Sequence, residues 1–476
     1  MCLPPLNRVR RTARQAGLSL VELMVAMTIS LLLLLVLVNV YVNLSHTNEE
    51  MRKTNSMIET GRFAVQILQN DLVHAGYWGG FVPEFDDLTA TLVPGDVPSG
   101  IPDPCLPFAN WDGAYKANFI GIPVQSSDVL PAGAGCMAFD AKHPNTDVLV
   151  VRHVETCVPG GTNCDPNIAG RVYMQTSYCT PEARAGTAVT ATSTSITLGS
   201  NAESASGSYV GMTIQIVAGS GAGQIRSVSA YTGSTRVATV GPAWTSIPDN
   251  TSQYAFKYVL GATAFPLHKH DCVGTGSPAT LPITSGSATL AEKRRLISDI
   301  YYIADIAHPD KPGETIPTLV RSQLDLSGIE VKQRTPVRLL EGVEALRVEL
   351  GIDDTGETGT PVDYSDVVDW QDATTKAQAT NRGDGAPDRF KRCTTATPCT
   401  AAELMNVVAV KLYVLARSRD PSPDYIDTKK YCLGEPPADG SCAQEIPAAN
   451  DHYKRHVFTT SVRLVNVSGR RETPSL

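Results

Sequence analysis

The chain has 476 residues, too many for one ordinary hydrophobic core, so two or three folded units are expected. Aromatic residues make up 6% beside 38 Gly and 32 Pro, which argues against a helical bundle and for many turns and short strands. Net charge is −8, and Arg8, Arg10, Arg11 and Arg14 all precede Gly17; without that segment 36 basic residues face 48 acidic ones, a net of −12, which leaves no basic footprint for nucleic acid.

The first element is an apolar run from Leu18 to Leu44 with one charged residue, Glu22, and no Pro or Gly. It is long enough to cross about 30 Å of hydrocarbon as a helix. The basic leader predicts that the amino terminus stays cytoplasmic and the rest lies outside. A secretory signal has its small residues after the apolar core, whereas here Ala16 and Gly17 come before it. Cleavage after Gly17 would keep the helix and expose an amine on Leu18. A carboxylate in a bilayer costs about 2.5–3.5 kcal/mol, so Glu22 calls for a partner, and an exposed amine on a neighbouring helix is one.

The stretch G-L-S-L-V-E-L, Gly17 to Leu23, resembles the prepilin motif of type IV pilins and related pseudopilins. The resemblance implies that a prepilin peptidase cuts after Gly17 and methylates the amine of Leu18, and that Glu22 pairs with a neighbouring subunit's terminus during assembly. Leu18 stands where phenylalanine is commoner in that family. The alternative reading is a plain single-pass anchor with an incidental glutamate.

No Pro interrupts Ser45 to Ala75, and Met57, Gly61, Ala64, Val65, Leu68, Leu72 and Ala75 form a helical stripe suited to packing on a sheet. Gly and Pro between Gly76 and Pro83 end the helical segment, placed at 18–83 with its transmembrane part at 18–44. Strands are expected in the β-branched runs 146–154, 294–305, 343–353, 407–418 and 456–467. The alternation in VEALRVEL and FTTSVRLVNV predicts one buried face. The expected fold class is α+β: a long N-terminal membrane and amphipathic helix packed on an antiparallel β-sheet head, with an inserted small all-β domain.

Four stretches, ETGRFAVQILQNDLVHAGYWG, LLEGVEALRVELGID, NVVAVKLYVLARS and RHVFTTSVRLVN, resemble in this order the PilW family of minor pilins. That resemblance implies partnership with other minor pilins, the major pilin and a tip-borne adhesin, with a role in priming assembly and a place at the pilus tip. Residues 185–258, rich in Gly, Ser, Thr and Ala, interrupt the head (84–184 and 259–476) and carry strand and turn signals of a small all-β module. The module resembles one found in phage tail and other virion structural proteins.

Eleven cysteines are many for a reducing compartment. Cys2 lies in the leader, and the ten that remain favour disulfides. Proximity suggests Cys105 with Cys136, Cys157 with Cys164, Cys393 with Cys399, and Cys432 with Cys442. Cys179 and Cys272 would staple the ends of the module, a long loop whose closure contributes about 4 kcal/mol in the chain-entropy model.

Other signals for chemistry are weak. GSGAGQ (219–224) lacks the Lys-Ser/Thr of a phosphate loop and reads as a turn. His268, His270 and Cys272 in HKHDC lack a second ligand pair, so no metal is expected. The acidic stretches 352–357 and 381–388 do not fit the twelve-residue calcium loop, and Arg382, Gly383 and Asp384 form a tripeptide that recurs by chance. With no HExxH or G-x-S-x-G motif, neither an enzyme nor a cofactor is expected. The expectation is a type IV pilus minor pilin, in the inner membrane before assembly and on the extracellular pilus after it. The alternatives are an adhesive protein acting through the module and a minor pseudopilin of type II secretion.

Overall fold

The computed structural model describes residues 19–87, 94, 96–136, 139–176, 186–200, 202, 204, 206–207, 209–210, 212–262, 265, 291–309, 311–356, 359–366, 379–434, 441–442 and 444–472. The chain divides into two units, Met1–Ser56 and Met57–Leu476. Helix α1, Leu20–His74, spans 55 residues, about 80 Å at roughly 1.5 Å per residue. It contains no Pro, and Gly61 is its one glycine. In the first unit its side chains from Leu20 to Leu44 are exposed.

In the second unit α1 turns its stripe inward: Met57, Gly61, Ala64, Leu68 and Leu72 are buried, and Val65 is half-buried. Gly61 permits close approach, since a Cβ there would lie 2.0 Å from the Phe458 ring. The helix ends at His74, short of the expected 83, because Gly76 turns the chain at a φ of +75°. Short 3-10 turns follow at Glu84–Asp86 and Phe108–Asn110, then helix α2, Gly113–Gly121, capped by the Asp112 side chain.

The strands follow in chain order. The head opens with β1 (Val124–Ser127), β2 (Val148–Val154) and β3 (Tyr173–Thr176). Then come β4 (Gly186–Thr187), β5 (Thr190–Thr192), β6 (Ser195–Thr197), β7 (Met212–Ala218), β8 (Ile225–Thr232), β9 (Val237–Gly241) and β10 (Gln253–Gly261). The head resumes with β11 (Lys293–Ala307), β12 (Thr315–Ser327), β13 (Glu330–Gln333), β14 (Val337–Glu341), β15 (Val343–Ile352) and β16 (Arg389–Lys391). Helix α3 (Ala401–Met405), β17 (Val407–Arg417), β18 (Tyr431–Cys432), β19 (Glu445–Ile446), β20 (Arg455–Arg463) and helix α4 (Val465–Arg471) complete it.

The larger sheet runs β1-β2-β11-β3-β10-β7-β8-β9-β6-β5, with β12 beside β11 carrying β13 and β14, and β4 on β10. A second sheet runs β16-β15-β17-β20, and every pairing is antiparallel. The α1 stripe shares one core with Leu149, Tyr301, Leu346 and Val410, so it binds strands from both sheets. The architecture is α+β, as the sequence predicts.

Three details differ from the sequence reading. β15 is buried on both faces: Leu346, Val348 and Leu350 join the α1 core, while Ala345 packs with Leu415 and Leu433 near the β18–β19 hairpin. On that second face Glu349 accepts hydrogen bonds from Tyr413 and Gln444, so polar residues that alternate in the sequence are covered rather than solvated. The run 456–467 is strand only to Arg463; its end turns into α4, where the Asn466 amide donates to the carbonyls of Val73 and Ala75 and satisfies the C-terminal end of α1. Residues 186–261 supply most of a second hydrophobic cluster, including Ile196, Ile214, Tyr254 and Phe256, which Ala291 and Phe265 join from outside that range. Nor is the range separate in hydrogen bonding, because β10 crosses residue 258 and pairs with β3 of the head.

Candidate functional site

The prepilin-like start places its one carboxylate in the first turn of α1. The Ser19 N–H donates to Glu22 Oε2 at 3.0 Å, and the Glu22 N–H donates to Ser19 Oγ at 3.2 Å. This reciprocal pair is a capping box: it satisfies two of the amides that a helix start leaves open. Sequence reasoning followed the charge of Glu22 and missed Ser19, although S-x-x-E before an apolar run is a recognised signal. Oε1 of Glu22 accepts no hydrogen bond among the described residues, so the box leaves part of the carboxylate free for a donor from elsewhere. Gly17 and Leu18 lie outside the described residues.

Among the described residues four disulfides join Cys105 to Cys136, Cys157 to Cys164, Cys393 to Cys399, and Cys432 to Cys442. These are the pairs that proximity suggests. Cys393 and Cys399 are buried in the α1 core, so that bridge fixes the loop before α3 from inside. Cys179, Cys272, His268 and His270 lie outside the described residues. Glu155, Cys157 and Cys164 place potential ligand atoms close together, but the two sulfurs are bonded to each other and offer no thiolate.

Other candidate motifs serve the fold. GSGAGQ is the turn between β7 and β8, with Gly219, Gly221 and Gly223 all at positive φ. A Cβ on Gly219 would lie 2.1 Å from the Thr251 carbonyl oxygen. The acidic stretches 352–357 and 381–388 pack on each other: Asp353 accepts from the N–H groups of Asp384 and Gly385, and Asp388 from those of Asp354 and Thr355. Among the described residues the carboxylate oxygens of these stretches accept from backbone amides, the Thr355 hydroxyl and the Arg389 guanidinium. Arg382 is 2% exposed, which hides the head of the Arg-Gly-Asp tripeptide. Burial raises the Asp353 carboxyl to about 6 against the opposing charge of Arg471, whose guanidinium is 3.7 Å away.

Residues 300–466 match the family model for Type IV Pilus-assembly protein W, and residues 12–38 match that for the prokaryotic N-terminal methylation motif. No curated protein matches the chain. Among solved structures, a type IV-like pilin from Thermus thermophilus aligns at 18% identity over 40% of this chain and 74% of that one, with a TM-score of 0.17 that carries no argument about fold. The two family matches cover the helix start that bears Glu22 and β12 to β20, which include many of the strands that receive α1, but not β1 or β2. Residues 300–466 are thus similar to the Type IV Pilus-assembly protein W family, and they stand behind a start similar to the prokaryotic N-terminal methylation motif.

Proposed function

We propose that this chain is a minor pilin of a type IV pilus, cut by prepilin peptidase between Gly17 and Leu18 and built into the filament as a non-enzymatic subunit. Before assembly α1 anchors it in the inner membrane with the head in the periplasm. After assembly it sits at the pilus tip with other minor pilins and a tip adhesin, above the major pilin, and helps begin the filament. The observation that carries this reading is the exposed apolar helix with Glu22 in its first turn and one carboxylate oxygen still open. Moving such a helix from lipid into a bundle of similar helices costs little hydrophobic energy, so one ion pair can select the axial register.

The head supports the tip assignment. Residues 186–252 add the six strands β4 to β9 to the head, a bulk that a tip accommodates more easily than the shaft of a filament. The test is intact mass and N-terminal sequence from membranes with and without prepilin peptidase. A chain beginning at Leu18 only when the peptidase is present supports the reading; one that keeps Met1 in both overturns it. Gold-labelled antibody against residues 186–261 should mark pilus ends, and even labelling along shafts would remove the tip assignment.

The second hydrophobic cluster, supplied mostly by residues 186–261, favours a second reading, in which this region also contacts a surface or carbohydrate. Shortening it while keeping β10, which the head sheet needs, separates the two roles. Piliation kept with attachment lost supports adhesion; piliation lost supports a scaffold.

A further inference from the structure

A buried polar cluster lies where the last turns of α1 meet the larger sheet. Register brings it together from four elements. On β11, Asp299 lies opposite Val151 of β2 and Gln323 of β12, Tyr301 lies opposite Arg321, and Ile297 lies opposite His153. His153, Asp299 and Arg321 therefore occupy neighbouring rungs. From α1, Asp71 reaches the same place: its Oδ1 is 2.8 Å from His153 Nε2.

The remaining distances show how tightly the cluster is enclosed. Asp299 Oδ1 accepts from the Gln323 amide at 2.9 Å, and Oδ2 lies 3.4 Å from both the Tyr301 hydroxyl and the Arg321 guanidinium. Asp299 is 1% exposed, and Asp71 Oδ2 is buried with no hydrogen-bond partner among the described residues. The titratable and charged groups facing the cluster are Asp71 and His74 from α1, His153 from β2, Asp299 and Tyr301 from β11, and Arg321 from β12. Two carboxylates thus share one permanent cation, and only a protonated His153 balances the charge.

We propose that Asp71, His153 and Asp299 form a proton-binding latch that holds the end of α1 against the sheet when protonated and loosens that seam when the proton is lost. Once the proton leaves, two carboxylates face one guanidinium in a water-poor seam, and the unpartnered Asp71 oxygen has no donor to turn to. Burial, followed by the charge of Asp71, pushes the Asp299 carboxyl up to about 7. For His153 burial acts downward, but its hydrogen bond to Asp71 and that residue's charge prevail and raise it above its ordinary value.

Both groups act in the same direction. A carboxyl raised in the folded state binds its proton more tightly there than in the unfolded chain, so its stabilisation is lost as pH climbs from the ordinary carboxylate range to about 7. A raised histidine stabilises the fold below its ordinary value of about 6.5 and loses that effect as pH rises through the raised one. The seam should be tightest in mild acid and weaken above neutrality.

The test is hydrogen exchange of the full-length chain in detergent micelles, following amides 66–75 at about pH 6 and pH 8.5 with intrinsic rates corrected. In the wild type, protection should fall at the higher pH by a factor on the order of ten. In Asp299→Asn the fall should shrink to the part that His153 contributes through Asp71, while amides of β7 and β8 behave alike in both proteins. Equal pH dependence in the two proteins, or none in the wild type, overturns the proposal. Should the variant fail to fold, carboxyl-carbon NMR of the wild type decides: an Asp299 midpoint of about 7 supports the latch, and one in the ordinary carboxylate range overturns it.

Discussion

Between Leu20 and Leu44 helix α1 is apolar and exposed all round, whereas between Met57 and His74 it is apolar along one stripe and that stripe is buried. The two stretches belong to one uninterrupted helix, yet they answer to different solvents. A helix hydrophobic on every side needs lipid or other helices, and one with a single apolar stripe needs a protein core. On the function proposed above, the first stretch serves anchoring and assembly, while the second contributes directly to the stability of the head. Substitutions of similar chemistry in the two stretches should separate these contributions.

The largest effect is expected from Leu68→Ala. Leu68 is fully buried among strands of both sheets, so the head should lose about 2–5 kcal/mol in denaturant titrations of the detergent-solubilised chain. Gly61→Ala comes next, at about 1–3 kcal/mol, because the new Cβ forces the Phe458 ring out of its place. A compensating Phe458→Leu should recover part of that loss, and no recovery would mean the ring is not the obstacle. Asn466→Ala removes the amide that serves the end of α1 and should cost about 1 kcal/mol, with faster exchange at amides 70–76 as its local signature.

The smallest effect on the head belongs to the first stretch. Leu34→Ala should leave the denaturation midpoint unchanged, since the side chain is 61% exposed and touches no core. Glu22→Ala should likewise spare the head while reducing incorporation into pili, measured by shearing and immunoblotting. A shift of the head's midpoint by either variant would break the distinction between the two stretches.

Much of this division is readable in the residues. The charge-poor run, the S-x-x-E start and the stripe from Met57 to Ala75 each follow a local rule, and local rules need only neighbours three or four residues away. The four short-range disulfides are legible for a related reason: each joins cysteines 6 to 31 residues apart, a span a turn or short loop can close. The start of α4 was not legible, since LVNV has the composition of a strand. Its helix forms because Asn466 meets the end of α1, and Arg471 is fully buried beside Asp86 and Asn406.

The same holds for the site. Glu22 stands out in the sequence because a carboxylate in an apolar run is costly wherever the rest of the chain goes. The cluster of Asp71, His153, Asp299 and Arg321 could not be read that way, for its members are as much as 250 residues apart in sequence and each looks ordinary beside its own neighbours. Strand register and the docking of α1 created that neighbourhood. The sequence by itself determined the span, the motif, the docking stripe and five strands of the head, β2, β11, β15, β17 and β20, all of which depend on short-range periodicity. Only the tertiary structure decided which charges are buried together, that both faces of β15 are covered and that β10 ties its neighbours into the head sheet, because each depends on contacts between segments whose separation no local pattern records.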